Sequence, residues 1–417
     1  MKRFILLTLL VALVMGLVVL PAAAKDKITV TFWHAMSKGH APYLEDIIKR
    51  FNESQDKIEV VPIYQGSYGD LNKKLMGSIA AGKPPVMAQV YEDWTTKLVD
   101  AGVLEAAEWY IGSVFTQEEI DDIILIFQKS NMWNDTLYTL PFNKSTNVLF
   151  VNLDMVPKVP TTWDELLEAA KAATKDEDGD GTPEVYGFGI RPTVDTFNIF
   201  LRQAGGTFLN EDGTKAVFNN EAGQKALQFL HDMVYKHKVA MVYTGYLSGP
   251  IGEGKIAMYQ GSSAGIPYVA KAIGDKFKWT VAPLVMGEKA AAPFMGTNIA
   301  VFKSHPDEVK YAAMEFIKFL INTENTTYWA VNTGYLPVRY SALKTKEWKE
   351  YIAADSKNAA GPSQFDYGTF DPRPNGWSEI RKVISEYIQK ALLNKMTVKE
   401  ALDAAAEKVD KILARNK

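Results

Sequence analysis

The sequence predicts an α/β protein of two lobes, each a mainly parallel sheet flanked by helices. Three observations support this fold class. Strand-like and helix-like runs alternate through most of the chain, a rhythm typical of parallel sheets covered by helices. Its 417 residues, 47% of them hydrophobic, suffice for two or three domains with sizeable cores. No linker rich in proline, glycine or serine separates the halves, which favours several chain crossings between the lobes.

The first lobe is predicted from a strand–helix–strand–helix–strand run near the amino-terminal end. In its first helix, apolar residues recur at Leu44, Ile47, Ile48 and Phe51, so they share one face. The second helix is expected to end at Gly82, ahead of two prolines. The predicted elements are the strands 27–32, 58–62 and 86–90 and the helices 43–52 and 68–81.

A second run of elements begins near residue 140, with short strands at 148–151, 186–190 and 255–259. Thr162 with Glu165, and Thr397 with Glu400, have the spacing of capping boxes that open helices. Ser304 is a further expected cap, and the last forty residues are almost all helical. We expect residues 25–137 and 285–340 to form the first lobe, and residues 138–284 and 341–417 the second.

The first 24 residues have the composition of a secretory signal. Lys2 and Arg3 precede an uncharged apolar run that ends in Pro-Ala-Ala-Ala, a cleavage sequence of the A-x-A type. We therefore expect cleavage after Ala24 and a mature protein in a bacterial periplasm. The alternative is an uncleaved membrane anchor.

The composition argues against several classes of function. The 46 Lys and Arg are balanced by 49 Asp and Glu, without the basic excess expected of a nucleic-acid-binding protein. The absence of cysteine excludes disulfides and thiolate chemistry. The five histidines include no pair with the helical spacing of a zinc site, and no cofactor is expected.

An acidic stretch, DEDGDGTPE, resembles the start of a calcium loop. Asp176, Asp178 and Asp180 alternate as the first ligands of such a loop do, and Gly181 stands at its sixth position. The twelfth position is Gly187, so the usual bidentate carboxylate is missing. A weak calcium site and a plain polar turn are both left open.

The stretch GSSAG places Ser263 in the G-x-S-x-G pattern of a hydrolase nucleophile between a strand and a helix. A hydrolase also needs a histidine, and the only one downstream is His305. We therefore favour another use of the same turn. Its backbone amides and serine hydroxyls would form an anion site at a helix amino terminus.

Aromatic residues without helical periodicity cluster at the ends of predicted strands. They are Trp33, Tyr64, Tyr68, Tyr91, Trp94, Phe142, Tyr335 and Trp377. Because ligands of α/β sheets bind at the carboxyl ends of strands, this placement predicts a shared pocket.

Seven stretches resemble the extracellular solute-binding proteins of ATP-driven importers, the class that includes maltose-binding protein. They are FWHAMSKG, YQGSYGDLNKKL, AQVYEDW, LPFNKSTNVLFVN, MYQGSSAG, NTGYLPV and DPRPNGWSEIRKVI. The resemblance covers nearly the whole mature chain and is strongest to members that bind glycerol 3-phosphate. It implies the two-lobed periplasmic-binding-protein fold, with a ligand cleft between hinged lobes.

The resemblance also implies a set of ligand-binding residues. They are Tyr68, Glu92, Ser145, Ser262, Ser263, Gly296, Tyr335 and Arg373, with Trp33 as a further pocket wall. Arg373 would bind a phosphate group bidentately, and Glu92 would accept hydrogen bonds from glycerol hydroxyls. Where the family offers a tryptophan, this chain supplies Phe197, so the far end of the pocket is expected to differ.

The function implied by the resemblance is that of a monomeric binding protein without catalytic activity. It would close by hinge motion on glycerol 3-phosphate, or on a glycerophosphodiester, and deliver it to a membrane permease and its ATPase. One alternative is the same role for a neutral sugar or oligosaccharide, with Arg373 structural. The other is a secreted serine hydrolase that uses Ser263.

Overall fold

The computed structural model describes residues 27–37 and 39–416. The predicted secretory signal, residues 1–24, lies outside them. Across the described part of the chain, no helix combines the length and the apolar character needed to cross a membrane.

Strands and helices alternate along the chain as predicted. The strands are β1 (Ile28–His34), β2 (Ile58–Tyr64), β3 (Met87–Val90), β4 (Leu104–Glu105), β5 (Met132–Trp133), β6 (Thr136–Leu137), β7 (Leu140–Asn152), β8 (Tyr186–Ile190), β9 (Ala240–Val242), β10 (Ile256–Ser262), β11 (Trp279–Ala282), β12 (Ala292–Phe302) and β13 (Gly368–Thr369). The helices are α1 (Ala41–Ser54), α2 (Tyr68–Ala80), α3 (Glu92–Asp100), α4 (Gln117–Asp121), α5 (Leu125–Ser130), α6 (Trp163–Ala173), α7 (Val194–Gln203), α8 (Glu221–Tyr235), α9 (Ser248–Gly252), α10 (Ile266–Ile273), α11 (Asp307–Leu320), α12 (Thr323–Thr333), α13 (Lys346–Ala354), α14 (Trp377–Leu392) and α15 (Val398–Arg415).

A continuous path of paired strands runs through the molecule in the order β2-β1-β3-β12-β7-β10-β8-β9. At one end β1 pairs in parallel with β2 and β3. At the other end β8 pairs in parallel with β10 and β9. The long strands β7 and β12 are antiparallel to each other and join the two parallel groups. This architecture confirms the predicted fold class.

The strands β7 and β12 belong to both lobes. Near its start, β7 pairs Pro141 with Asn298 of β12, and near its end it pairs Val151 with Met258 of β10. The strand β12 continues to β3, where Val301 pairs with Met87. The chain therefore crosses between the lobes along both strands. The residue limits that the sequence suggests for each lobe stay a prediction.

The strand β7 is much longer than the predicted segment 148–151. All thirteen of its residues are buried, so it lacks the alternation of buried and exposed positions that marks a half-buried strand. Its polar stretch 143–147 looks like a loop in the sequence. In the structure this stretch lies where the lobes meet, and Asn143, Lys144 and Thr146 have side-chain partners there.

The predicted helix caps are confirmed in part. Thr397 and Glu400 form the expected capping box at the start of α15. Thr162 caps α6 by accepting the amide of Glu165. The carboxylate of Glu165, however, accepts from the amide of Thr161 at 2.8 Å, so the second half of that capping box is wrong.

The start of α11 also differs from the prediction. Ser304 is not its cap, because the cap position is Pro306, which makes no side-chain cap bond. Asp307 and Glu308 occupy the first turn, where their negative charges stabilise the positive end of the helix dipole.

Candidate functional site

The predicted site residues lie where strands end and the lobes meet. The strands β2 and β3 lead into α2 and α3, whose first residues are Tyr68 and Glu92. Ser145 is in the shared strand β7, and Ser263 follows β10. This is the edge at which α/β sheets bind ligands.

Tyr68 and Tyr335 are joined through a buried asparagine. The side-chain amide of Asn143 donates to the Tyr68 hydroxyl at 2.9 Å, and the Tyr335 hydroxyl hydrogen-bonds to both. Burial, as the largest cause, raises the pKa of both phenols, so both stay protonated at neutral pH. Trp33 and Tyr68 pack on the same apolar cluster, and the role of Trp33 as a pocket wall stays a prediction.

A polar network supports these rings from behind. The side-chain oxygen of Gln89 accepts the amide of Ala35 at 2.8 Å. Its nitrogen donates to Thr297 at 2.9 Å and to Asn143 at 3.3 Å. Gln89, Asn143 and Thr297 are almost completely buried. Because these groups belong to β3, β7 and β12, the network fixes the shared strands relative to Tyr68.

Glu92 forms a buried ion pair that the sequence reasoning did not include. The Lys144 ammonium donates to its carboxylate at 2.8 Å, and the Lys144 side chain is only 2% exposed. Burial lowers the pKa of Lys144, while Glu92 acts in the opposite direction. A lysine inside a continuous buried strand is the sequence signal that could have revealed this pair, because buried charges need partners.

Arg373 is held by the protein itself. Its guanidinium donates to the carbonyl of Ser130 at 2.6 Å and to that of Met132. The same group lies over the ring of Trp133, 4.0 Å from the centroid. Burial lowers its pKa to about 10, so Arg373 is still charged at neutral pH. The structure therefore anchors this side chain to the β5–β6 hairpin.

The remaining predicted residues line the junction of the lobes. Ser262 caps a single 3-10 turn, 263–265, by accepting the amide of Ala264. The Ser263 hydroxyl is buried and accepts the amide of Thr146 at 3.4 Å. Ser145 pairs with Met295 across β7 and β12.

Gly296 is required by a close approach between the shared strands. Its φ is +135°, and a Cβ there would lie 2.1 Å from the carbonyl oxygen of Asn143. The register of β7 and β12 shifts between Gly296 and Asn298. A side chain at this position would force the two strands apart.

The serine-hydrolase alternative finds no support in the geometry. No hydrogen bond joins Ser263 to a histidine within residues 27–37 and 39–416. His305, the downstream candidate, has its Nε2 at 3.1 and 3.0 Å from the carbonyl oxygens of Pro84 and Pro85. These contacts fix the imidazole in the first lobe.

A cavity of about 660 Å³ faces the junction from the second lobe, within the size range of small-molecule sites. The side chains of Tyr246 and Tyr268 are 77% and 60% exposed, so two aromatic faces are free for a ligand. The residues that line it include Asn147, Arg191, Asp195, Tyr246, Gln260, Ser262 and Tyr268.

Several polar groups of this cavity lack partners. Gln260 is 8% exposed, yet neither polar atom of its amide has a hydrogen-bond partner among the described residues. The Asn147 side-chain nitrogen and the Arg191 Nε are buried and unpartnered in the same way. Unpaired buried groups are costly unless a ligand or water satisfies them.

The sequence reasoning missed these lining residues because they come from separate segments. Arg191 directly follows β8, and Gln260 lies within β10. Their strand-end positions are the available signal. Phe197 does not line the cavity: it is fully buried and packs against Phe208 and Phe218. From the segment expected to supply an aromatic wall, the structure brings Arg191 to the cavity instead.

The acidic loop brings a different set of carboxylates together than the sequence suggested. Asp176, Asp178 and Glu184 have ligand oxygens within 4.8 Å of one another. Asp180 is not part of this group; its carboxylate accepts the amide of Thr182 at 2.7 Å, and the three clustered carboxylates accept backbone amides as well. All three clustered residues are exposed, and the calcium site stays a prediction.

Two α/β lobes joined by shared strands, with a concave polar and aromatic cavity at their junction, define a ligand-binding protein of the periplasmic-binding-protein class. The chain belongs to the bacterial extracellular solute-binding proteins, whose family model matches residues 46–356. It is similar to the sn-glycerol-3-phosphate-binding periplasmic protein UgpB of Yersinia pseudotuberculosis. The two are 26% identical over 416 residues, which cover 93% of this chain and 92% of the relative.

Solved structures share the fold. The cyclic alpha-maltosyl-1,6-maltose binding protein from Arthrobacter globiformis superposes with a TM-score of 0.81 at 22% identity, over 93% of this chain and 100% of the other. UgpB from Mycobacterium tuberculosis, in complex with glycerophosphocholine, gives a TM-score of 0.81 at 21% identity, over 94% and 99%. These similarities confirm the two-lobed fold.

Proposed function

We propose that this protein is the periplasmic binding component of an ATP-driven importer for glycerol 3-phosphate or a glycerophosphodiester. It is exported by its amino-terminal signal, acts as a monomer, and catalyses no reaction. Ligand binding closes the lobes, and the closed form delivers the ligand to a membrane permease and its ATPase. The full-length similarity to glycerol-3-phosphate-binding relatives supports this choice.

The observation that supports an anionic ligand is the charge of three neighbouring groups, those of Glu92, Lys144 and Arg373. Lys144 and Arg373 both lie near the single carboxylate of Glu92, and each cation is stabilised by it. Arg373 also lowers the pKa of Lys144, so the two cations are within electrostatic reach of each other. Two cations around one carboxylate would favour an anion beside them, and Asp93, which also interacts with Glu92, has Arg381 as a cationic neighbour of its own.

The other predicted residues fit the neutral part of such a ligand. The phenol groups of Tyr68 and Tyr335 can donate hydrogen bonds, and Trp33 can cover a carbon chain. Ser145, Ser262, Ser263 and the backbone beside Gly296 would add donors on the hinge side. Glu92 would accept hydrogen bonds from glycerol hydroxyls while it remains paired with Lys144.

A thermal-shift series on the protein purified from a periplasm tests the proposal. The ligands are glycerol 3-phosphate, glycerophosphocholine, inorganic phosphate and maltose. At about a thousand times its dissociation constant, a ligand should stabilise the fold by roughly 4 kcal/mol. We expect a higher Tm with a phosphate ester, and weaker glycerol 3-phosphate binding below about pH 6, where the phosphate becomes protonated. A shift with maltose alone would contradict the phosphate-ester ligand and keep the transport role.

A neutral sugar is the second candidate ligand. The specific observation in its favour is that two exposed tyrosines, Tyr246 and Tyr268, line the same cavity. Aromatic faces of this kind suit the apolar faces of sugar rings. In that case Arg373 is a structural residue, and salt concentration should leave the affinity unchanged.

A further inference from the structure

We propose that Arg191 binds the anionic group of the ligand, in the cavity of the second lobe, with the amides of Gln260 and Asn147 completing the site. This inference rests on the proposed phosphate-ester function. It assigns the phosphate group to a residue that is not among those implied by the family resemblance. Arg373, which that set assigns to the phosphate, then has a structural role.

Most cations near the junction of the lobes already have carboxylate partners, as Lys144 and Arg381 show. Lys144 is buried against Glu92, and Arg381 is paired with Asp195 and Asp371. Arg191 differs from them, since it forms no ion pair within the described part of the chain. A cation without a carboxylate partner on a cavity wall is available to an anion from solution.

The environment of Arg191 holds it in place without neutralising it. Its guanidinium lies over the ring of Tyr246, 4.7 Å from the centroid. Its Nε is buried and has no hydrogen-bond partner among the described residues. None of its N–H groups donates to a described residue, and the edge of a guanidinium can bind a phosphate through two parallel hydrogen bonds.

Neighbouring groups complete a site for phosphate oxygens. Gln260 and Asn147 line the same cavity and have buried side-chain nitrogens without partners. Such nitrogens can donate to an acceptor that the ligand brings. Asp195 also lines the cavity, but its carboxylate is paired with Arg381, which offsets its repulsion of an anion.

Arg373 is less suited to the anion than the resemblance implies. Two of its N–H groups already donate to backbone carbonyls, and its plane is held on Trp133. These bonds use two of its five N–H groups and fix its orientation, so a phosphate could bind Arg373 only through the three that remain. We infer that Arg373 ties its own segment to the β5–β6 hairpin and contributes to binding through its charge alone.

Calorimetric titration with glycerol 3-phosphate tests the assignment. Arg191→Ala should weaken binding about 30-fold or more, as expected for the loss of a charge-assisted bidentate contact. Arg191→Lys should recover part of the affinity, because the charge returns without the planar fork. Arg415→Ala removes a distant exposed arginine of α15 and serves as the charge-matched control with unchanged affinity.

Gln260→Met provides an independent second variant. The amide of Gln260 is buried without a partner in the ligand-free protein, which is costly. If the ligand supplies that partner, an apolar side chain of similar size should raise the Tm of the ligand-free protein. It should also lower the affinity for glycerol 3-phosphate. Simple misfolding would lower both. A Tm at or below the wild-type value, with unchanged affinity, would argue against a role for Gln260.

The outcomes separate this inference from the proposed function. If wild-type protein binds glycerol 3-phosphate and Arg191→Ala binds it equally well, Arg191 is not the anion site and the transport proposal stands. Loss of binding in Arg373→Ala at an unchanged Tm would then assign the phosphate to Arg373. If the wild-type protein binds no phosphate ester, both proposals fail together.

Discussion

His34 shows how burial alone determines the role of a residue. It ends β1 at 3% exposure, and burial lowers the pKa of its imidazole to about 4. Its Nδ1 accepts the amide of Met36 at 3.3 Å, which leaves the ring proton on Nε2. At neutral pH the ring is therefore uncharged, and its contacts with Phe32 and Tyr64 are those of a core residue.

This pKa shift predicts stability that is lost in acid. Below pH 6.5 the unfolded chain binds a proton that folded His34 does not bind. The contribution of His34 is therefore fully present above pH 6.5 and is lost as the pH falls to about 4. It amounts to at most about 3 kcal/mol. Urea unfolding across this range should show a weaker pH dependence in His34→Asn than in wild type.

The half-exposed His237 supplies the control for this experiment. His237→Asn, the same substitution at a partly exposed histidine, is measured alongside His34→Asn. Equal pH dependence in His34→Asn and the wild type would mean that other groups cause the acid sensitivity.

The positions of single site residues could be predicted from the sequence where a local pattern or motif marks them. Tyr68 and Glu92 open the helices that follow β2 and β3, so the order of elements agrees with their place at the sheet edge, whereas their binding roles come from the family resemblance. Arg191 and Gln260 could not be found in this way, because segments far apart in the chain assemble their cavity. Arg373 was matched by its motif, whereas its contacts with Ser130 and Met132 depend on a hairpin that no motif describes.

At the scale of elements, the shared strands β7 and β12 determine how the lobes are connected. Their register shifts beside Gly296, whose φ of +135° is rarely adopted by other residues. Between these strands lie the buried groups that join them, Asn143 and Thr297. The connection is therefore a packed and hydrogen-bonded sheet, which limits the lobes to bending about it.

Gly296→Ala should destabilise the protein strongly. The added Cβ would lie 2.1 Å from the Asn143 carbonyl, and relief requires movement of β7 or β12. We expect a loss of more than about 2 kcal/mol in the free energy of unfolding, measured with urea.

Gly77→Ala is the matched control for that substitution. Nothing lies within 4 Å of a Cβ at Gly77, which is inside α2, so alanine there should stabilise the helix by roughly 0.5–1 kcal/mol. A loss of less than about 0.5 kcal/mol in Gly296→Ala would show that the strands separate at little cost.

The elements were predicted well where sequence periodicity is strong. The buried face of α1 consists of the four apolar residues named from the sequence. The full length of β7 was not predicted, because its residues 143–147 are polar and yet buried. Their burial depends on partners from the other shared strand and from β10. Long-range pairing of this kind cannot be recognised from the local sequence pattern.

At the scale of the whole molecule, two lobes around a shared sheet should close when the cavity is filled. A compact chain of this size has a radius of gyration of about 21 Å. We expect a decrease of about 1 Å in X-ray scattering at saturating glycerol 3-phosphate, because hinge closure brings the lobes together. Arg191→Ala under the same conditions should keep the larger radius. Binding of the ligand by calorimetry without any decrease would contradict the hinge mechanism.

The shared strands also have a consequence for the order of folding. Gln89 of β3 meets Thr297 of β12, a partner 208 residues away in the chain. The first lobe cannot complete its sheet until that distant segment has been synthesised, and contacts of such long range make folding slow. A chain that stays incompletely folded for longer is easier to thread through a secretion channel. For a member of an extracellular family that is exported as proposed, the connection that couples the lobes would therefore also help to keep the newly made polypeptide competent for export.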